Sequence, residues 1–221
     1  MNRFVGAAAA AALTAVAALT VTSANALVRV YPVSYHFSQP TACGSWCYHD
    51  PNFSKLTDGA VGNIGWAVNQ GQEWDGWYNT PQVDVIFDFG TAKHVDIARV
   101  GTTQDNLGDV VLPRLHFFFS NDGQAFVQTG GNITGASAAN DHSAFDTGAL
   151  HLTQVAGLAS DSRYIKLSAL ANGPWTFLSE VEFYRLGSAV PEPASWATML
   201  LGLAGLGGAA RARRRAATTA A

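Results

Sequence analysis

Apolar and polar residues alternate in several short segments in the middle of this chain, and helix-like spacing is nearly absent there. In Gln82–Phe89 the odd-numbered residues are apolar, whereas Asp84 and Asp88 fall on the opposite face. A period of two is what a strand with one buried face produces. Glycine, asparagine and aspartate separate such segments, as in Asn121–Gly123 after the strand predicted at Leu112–Ser120. The pattern predicts an all-β antiparallel sandwich. Further strands are predicted at residues 95–100, 164–167 and 178–185.

The N-terminal segment does not follow this alternation. Arg3 precedes an apolar stretch that closes on Ala24-Asn25-Ala26, the small-residue pattern of a signal-peptide cleavage site. We therefore interpret residues 1–26 as a signal peptide and expect the mature chain to begin at Leu27. An uncleaved N-terminal anchor is the alternative.

The C-terminal segment is equally distinct. Residues 194–210 carry no charge, and an arginine-rich end follows at 211–215. As a helix this span would rise about 26 Å, slightly less than a hydrocarbon core of about 30 Å. We interpret it as a short transmembrane segment whose arginines would hold the C-terminus in the cytoplasm.

The residues between these ends form one predicted domain, 27–188, followed by a tail at 189–215 and a remainder at 216–221. The whole chain has a net charge of −3, but five of its thirteen basic residues lie in the end segments. The middle therefore carries eight basic and fifteen acidic residues, a net of −7. Because an acidic surface repels phosphate backbones, we expect no nucleic-acid partner.

The chain has two cysteines, Cys43 and Cys47. In an exported protein a disulfide is the first interpretation, and it would contribute about 2 kcal/mol at best because the closed loop is very short. A free or metal-binding pair is the alternative, although no histidine or further cysteine follows at the spacing of a zinc site.

Five stretches, taken in order, resemble the discoidin, or coagulation-factor type C, branch of the galactose-binding-like β-sandwiches. The resemblance covers most of residues 27–186 and implies a single jelly-roll-type antiparallel sandwich. The stretches are Lys55–Gly59 with Trp66 after it, Val83–Gly90, Ser120–Phe126, Arg163–Leu167 and Leu178–Phe183.

The end of the chain resembles the PEP-CTERM sorting signal, which combines a Pro-Glu-Pro motif, an apolar span and basic residues. The motif here is Val190-Pro191-Glu192-Pro193. Its two prolines would keep the segment extended and accessible to a protease. The resemblance implies processing by exosortase, transient anchoring in the inner membrane and association with exopolysaccharide production in Gram-negative bacteria. An ordinary linker before an ordinary membrane anchor is the alternative. Under either interpretation the tail indicates where the protein is located and not what its activity is.

No catalytic pattern stands out. The chain has no G-x-S-x-G, no H-E-x-x-H and no phosphate-binding loop, and its six histidines are scattered singly. Paired carboxylates such as Asp84 and Asp88 fall on a strand face that we expect to be wet, which makes them weak acid–base candidates. We therefore expect a noncatalytic protein.

The discoidin resemblance also implies a structural calcium ion. The matching residues are Asp58, Glu180 and the backbone oxygens around Leu56 and Asn63, an oxygen-only set of the kind that a hard cation requires. Relatives often place a serine or threonine before the tryptophan, where this chain has Gly65. Without calcium, Asp58 would be a turn residue and Glu180 a surface strand residue.

Aromatic residues in two polar segments are the candidate sugar-binding residues. Such side chains can stack on the apolar face of a sugar ring while polar neighbours contact its hydroxyls. Trp66 we assign to the core. The candidates are Trp46, Tyr48, Trp74, Trp77 and Tyr78, with Trp175 and Arg114 as further contacts.

These features together predict an exported, noncatalytic envelope or matrix protein that binds a neutral glycan such as an exopolysaccharide. A structural or adhesive protein without a glycan ligand is the first alternative, and an envelope enzyme is a remote one.

Overall fold

The computed structural model describes residues 25–68, 72–105, 108–128, 151–189 and 199–204. The chain divides into two compact units, Ala26–Ser188 and the two terminal segments. In the terminal unit residues 199–204 are helical, and no helix in the described ranges is long and apolar enough to cross a membrane. Residues 1–24 of the predicted signal peptide, the Val190–Pro193 motif and the arginine-rich end lie outside the described residues.

The regular secondary structure in the described part of Ala26–Ser188 consists of strands, and the prediction of an all-β antiparallel sandwich is confirmed. One eight-stranded sheet curls on itself in the order β1-β8-β4-β7-β5-β6, while β2 adds to β4 and β3 adds to β8. The pairs β2–β4, β3–β8, β4–β7, β4–β8, β5–β6 and β5–β7 are antiparallel. The strands are β1 (Asn25–Val30), β2 (Ser34–Phe37), β3 (Asp75–Tyr78), β4 (Gln82–Thr102), β5 (Arg114–Ser120), β6 (Val127–Gln128), β7 (His151–Leu170) and β8 (Trp175–Ala189).

The long strand β4 explains how one sheet encloses a core. Its first part pairs with β2 and its last part with β8, while β7 follows it along most of its length. The register between β4 and β7 shifts between Asp88 and Lys93, where Gly90 has a φ of +74°. Bulges bend and twist a strand. The shift therefore lets β4 pass from one layer of the sandwich to the other.

Two groups of buried side chains fill the domain. The larger lies between the layers and contains the alternating residues of β4 that the sequence predicted to face inward. The smaller is aromatic and includes Tyr48, Trp66, Trp74 and Phe177. The assignment of Trp66 to the core is confirmed, because its ring stacks on Phe177 at 5.7 Å.

Candidate functional site

Several loops meet at one end of the sandwich, which we call the loop end. The last residue of β7, Leu170, pairs with the first residues of β4 and β5, Gln82 and Arg114. Two backbone hydrogen bonds, from Asn79 N to Pro174 O and from Ala171 N to Pro81 O, join the β3–β4 turn to the β7–β8 turn. The loop after β2 reaches the same end through the contact of the Tyr48 ring with Trp175.

The loop end carries an aromatic pair that we call the Tyr78–Trp175 platform. Tyr78 and Trp175 are cross-strand partners on β3 and β8, and their ring centroids are 4.8 Å apart. Tyr78 is 54% exposed and Trp175 is half-buried. The Trp175 ring stacks on Phe177 at 5.4 Å, so the buried aromatic group supports the platform from below. The two rings are tilted by 42° to each other, and an exposed aromatic surface of this kind is suited to stacking on the apolar face of a ligand.

A cleft of about 380 Å³ lies beside the platform, lined by residues 79–81 and 171–173. Asn79 has a left-handed φ of +48°, a conformation that asparagine tolerates better than most residues. The Asn172 amide donates to Leu112 O at 2.6 Å, and the Thr80 hydroxyl donates to Tyr78 O at 3.2 Å. These bonds hold the polar groups of the cleft in place next to the aromatic rings.

Three of the predicted sugar-stacking residues are buried, and for them the prediction of an exposed surface is wrong. Trp74 is 0% and Trp77 1% exposed, and Tyr48 is buried as well. The indole nitrogens of the tryptophans donate to backbone carbonyls, Trp74 to Ile64 and Trp77 to Gln39. These residues belong to the interior that supports the site and do not contact a ligand directly.

The carboxylate between Trp74 and Trp77 is what makes this segment look exposed in the sequence. An aspartate such as Asp75 is typical of a surface segment, because burying an unpaired carboxylate is costly. The structure buries Asp75 completely, and burial raises its pKa to about 8. A carboxyl group that stays protonated at neutral pH avoids most of that cost.

The remaining predicted residues lie at the loop end. Trp46 is 40% exposed, and its ring meets Trp66 edge-on at 6.1 Å. The predicted disulfide between Cys43 and Cys47 is confirmed, and it closes the short loop that carries Trp46. Arg114 is exposed at the start of β5, where it pairs with Leu170 next to the cleft.

The predicted calcium ligands are only partly brought together. Gly59 N, next to Asp58, donates to the Glu180 carboxylate at 3.0 Å, and Leu56 O accepts from Val181 N at 2.8 Å. The backbone nitrogen of Asn63 donates to the Glu73 carboxylate at 2.8 Å. Asp58 is exposed and accepts from the amide of Ala60 in its own turn.

Glu180 is buried and is not the surface strand residue that the sequence predicted for the case without calcium. A cation of the chain already pairs with its carboxylate. Arg29 forms an ion pair with Glu180 and a second one with Glu182 at 3.1 Å. Burial raises the pKa of Glu180 to about 7, outweighing the opposing effects of the Gly59 amide and Arg29. Because Arg29 holds the carboxylate that a calcium ion would need, the donors as arranged do not fit the ion. Calcium binding stays a prediction of the resemblance.

The fold and the loop end define an all-β sandwich with a supported aromatic platform beside a polar cleft.

The matching family model is described as the PEP-CTERM protein-sorting motif and covers residues 189–215. This match confirms the resemblance seen in the sequence. The chain is therefore an exported protein with a PEP-CTERM tail that sorts it to the cell envelope.

Comparison with solved structures gives distant likenesses to carbohydrate-binding modules. Truncated AlyQ with CBM32 and alginate lyase domains is 16% identical with a TM-score of 0.48, covering 75% of this chain and 35% of that one. A CBM32 from a family 31 glycoside hydrolase of Clostridium perfringens is 14% identical with a TM-score of 0.42, covering 71% and 97%. The lectin domain of lectinolysin complexed with Lewis B antigen is 18% identical with a TM-score of 0.45, covering 68% and 91%.

The match covers only 35% of the length of the truncated AlyQ protein. Among curated proteins, none matches the chain significantly. With TM-scores below 0.5, these structural likenesses carry no argument about a ligand. The case for a ligand therefore rests on the residues of the loop end.

Proposed function

We propose that this chain is an exported, noncatalytic glycan-binding protein whose binding surface is the Tyr78–Trp175 platform with the cleft beside it. The observation that carries the proposal is the exposed ring of Tyr78 set against a half-buried tryptophan that the core supports. Asn79 and Asn172 line the adjoining cleft. The Asn79 amide and the side-chain oxygen of Asn172 would contact sugar hydroxyls, while the Asn172 nitrogen donates to Leu112 O. An aromatic surface with a few fixed polar groups is the usual composition of a sugar site.

The charge of the domain favours neutral glycans at this site, such as exopolysaccharides with galactose-type sugars. With fifteen acidic and eight basic residues between 27 and 190, the domain repels a polyanion in general. Binding to a single site of this size would be weak, on the order of millimolar. Repeated sites along a polysaccharide would strengthen retention through avidity.

Replacing Tyr78 with alanine should abolish glycan binding while leaving the melting temperature nearly unchanged, because more than half of this side chain is exposed. Affinity electrophoresis in gels that contain neutral polysaccharides measures the loss directly. Tyr31→Ala is the matched control, since Tyr31 is also exposed but lies outside the loop end. If the unaltered protein binds no glycan in such a screen, a structural or adhesive role replaces this proposal.

We also propose that exosortase removes the tail after export, as the PEP-CTERM match implies. Protein isolated from its native host should then begin near Leu27 and lack the residues that follow the Val190–Pro193 motif. Intact-mass measurement checks both ends at once. Mature protein that still carries residues 211–215 would contradict the processing step while leaving glycan binding untouched.

A further inference from the structure

A second cleft lies at the end of β2 and in the segment that follows it, within the same sandwich. It has a volume of about 360 Å³ and is lined by residues 37–41, 49–51 and 53. None of these residues lines the cleft beside the Tyr78–Trp175 platform. We call this second cleft the Phe53 cleft.

Two phenylalanine rings form the apolar wall of the Phe53 cleft. The Phe53 side chain is 45% exposed, and its ring centroid lies 5.4 Å from that of the half-buried Phe37. The buried Tyr35 ring meets Phe53 edge-on at 6.0 Å. The buried Trp77 ring meets Phe37 edge-on at 5.1 Å. The wall is therefore built like the platform, as an exposed ring that the core supports.

The backbone holds Phe53 in a conformation that bulky residues rarely adopt. Its φ is +49°, in the left-handed region, which costs free energy for a residue with a Cβ atom. The turn is fixed by the buried Asp50 carboxylate, which accepts from the amides of Ser54 and Lys55 at 2.9 and 3.2 Å. The Tyr35 hydroxyl donates to the same carboxylate. Backbone strain of this kind is concentrated at functional sites, and glycine or asparagine would relieve it, so the turn maintains the ring itself.

Polar groups complete the lining of the Phe53 cleft. His49 Nδ1 lies 2.9 Å from Thr41 Oγ1, which fixes the imidazole ring through one nitrogen and leaves Nε2 for a ligand. The Ser38 hydroxyl accepts from a backbone amide of β4 at 2.9 Å and keeps its own hydrogen to donate. Gln39 is exposed. The one carboxylate of the lining, Asp50, already accepts from three donor groups, so the cleft offers a ligand mainly uncharged hydrogen-bonding groups.

We propose that the Phe53 cleft is a secondary sugar site, which binds a further part of the same neutral polysaccharide chain that occupies the platform. An aromatic wall with fixed hydrogen-bonding groups beside it suits a sugar ring. The inference rests on the proposed function and narrows its ligand class to chains long enough to reach both sites.

The two sites are close together because both adjoin strand β3. Trp77 meets the Phe37 ring of the cleft wall, and the next residue, Tyr78, belongs to the platform. A chain held at one site is therefore presented to the other at a high effective concentration. The platform offers the larger rings, an indole and a phenol, so it holds the chain first. The Phe53 cleft is too weak to retain a glycan alone and slows its release.

Binding of a long and a short glycan by one variant tests this proposal. Phe53→Asn removes the ring, and asparagine tolerates the left-handed backbone, so the fold should be kept, as a melting curve checks. The long probe is the neutral polysaccharide that most retards the native protein in affinity electrophoresis, with galactan tested first. The short probe is a trisaccharide prepared from it, whose binding at the platform is followed by NMR at the Asn79 amide. We expect about tenfold weaker binding of the polysaccharide and unchanged binding of the trisaccharide.

Two further variants serve as controls. Phe53→Tyr keeps an aromatic ring in the cleft and should keep the native affinity for the polysaccharide. Tyr31→Ala removes an exposed ring that lines neither cleft and should change nothing.

The results separate this inference from the proposed function. Equal affinity of the native protein and Phe53→Asn for the polysaccharide would overturn the secondary site and leave the platform intact. A loss that is as large for the trisaccharide as for the polysaccharide would make Phe53 a support of the platform, which also overturns it. If the native protein binds no neutral polysaccharide at all, the proposed function and the secondary site fail together.

Discussion

Replacing Trp77 with alanine should lower the free energy of unfolding by about 3–5 kcal/mol, the usual cost of deleting a large aromatic side chain from a core. The side chain is 1% exposed, meets the Phe37 ring edge-on at 5.1 Å and donates to Gln39 O. Its removal leaves a cavity and an unsatisfied carbonyl. Urea unfolding followed by fluorescence gives the midpoint and slope from which the change is calculated.

The adjacent residue supplies the control for this experiment. Tyr78 follows Trp77 on β3 and points to the exposed side, so Tyr78→Ala should cost less than about 1 kcal/mol. The pair therefore separates stability from binding: Trp77→Ala destabilises the domain, and Tyr78→Ala abolishes glycan binding. A stable Trp77→Ala variant that has lost glycan binding would instead support the exposed position expected from the sequence.

The strands that could be predicted from the sequence are those with one buried and one more exposed face. In β4 the inward residues alternate with half-buried ones, and the sequence shows the alternation directly. In β3 three consecutive residues, Asp75–Trp77, are all buried, so the strand has no alternation to detect. Glycine and aspartate in such a segment are typical of a loop, and only its pairing with β8 makes it a strand.

The sequence predicted only part of the candidate site, because the residues of that site are far apart along the chain. Tyr78 and Trp175 were both named from composition, but their contact depends on the pairing of β3 with β8. Arg29, which neutralises Glu180 from 151 positions away, was not recognised at all. Exposure was the property that the sequence predicted least well, since Trp74 and Trp77 have polar neighbours and are nonetheless buried.

The unfolding free energy should fall as the pH rises from about 4 to 8, and Asp75 should be the main cause. The Asp75 side chain is fully buried, and the Lys55 ammonium lies 3.5 Å from its Oδ1. Burial raises the pKa of Asp75 from 3.8 to about 8, with Asp50 and Asp58 adding to the rise and Lys55 opposing it. In this window the folded state keeps a proton that the unfolded state releases, so folding becomes less favourable with increasing pH.

Replacing Asp75 with asparagine should flatten this dependence. Each pH unit inside the window costs the native protein at most 1.36 kcal/mol, or about 4 kcal/mol between pH 5 and pH 8, and the amide carries no titrating proton. The variant should match the native protein near pH 4 and exceed it increasingly up to pH 8. Glu180 and Asp105, whose pKa values burial raises to about 7 and about 6, add their own decrease in stability below those pH values in both proteins. Denaturant unfolding at a series of pH values measures the two profiles. Parallel profiles for the native protein and Asp75→Asn would mean that Asp75 is ionised in the folded state, held by Lys55 as an ordinary ion pair.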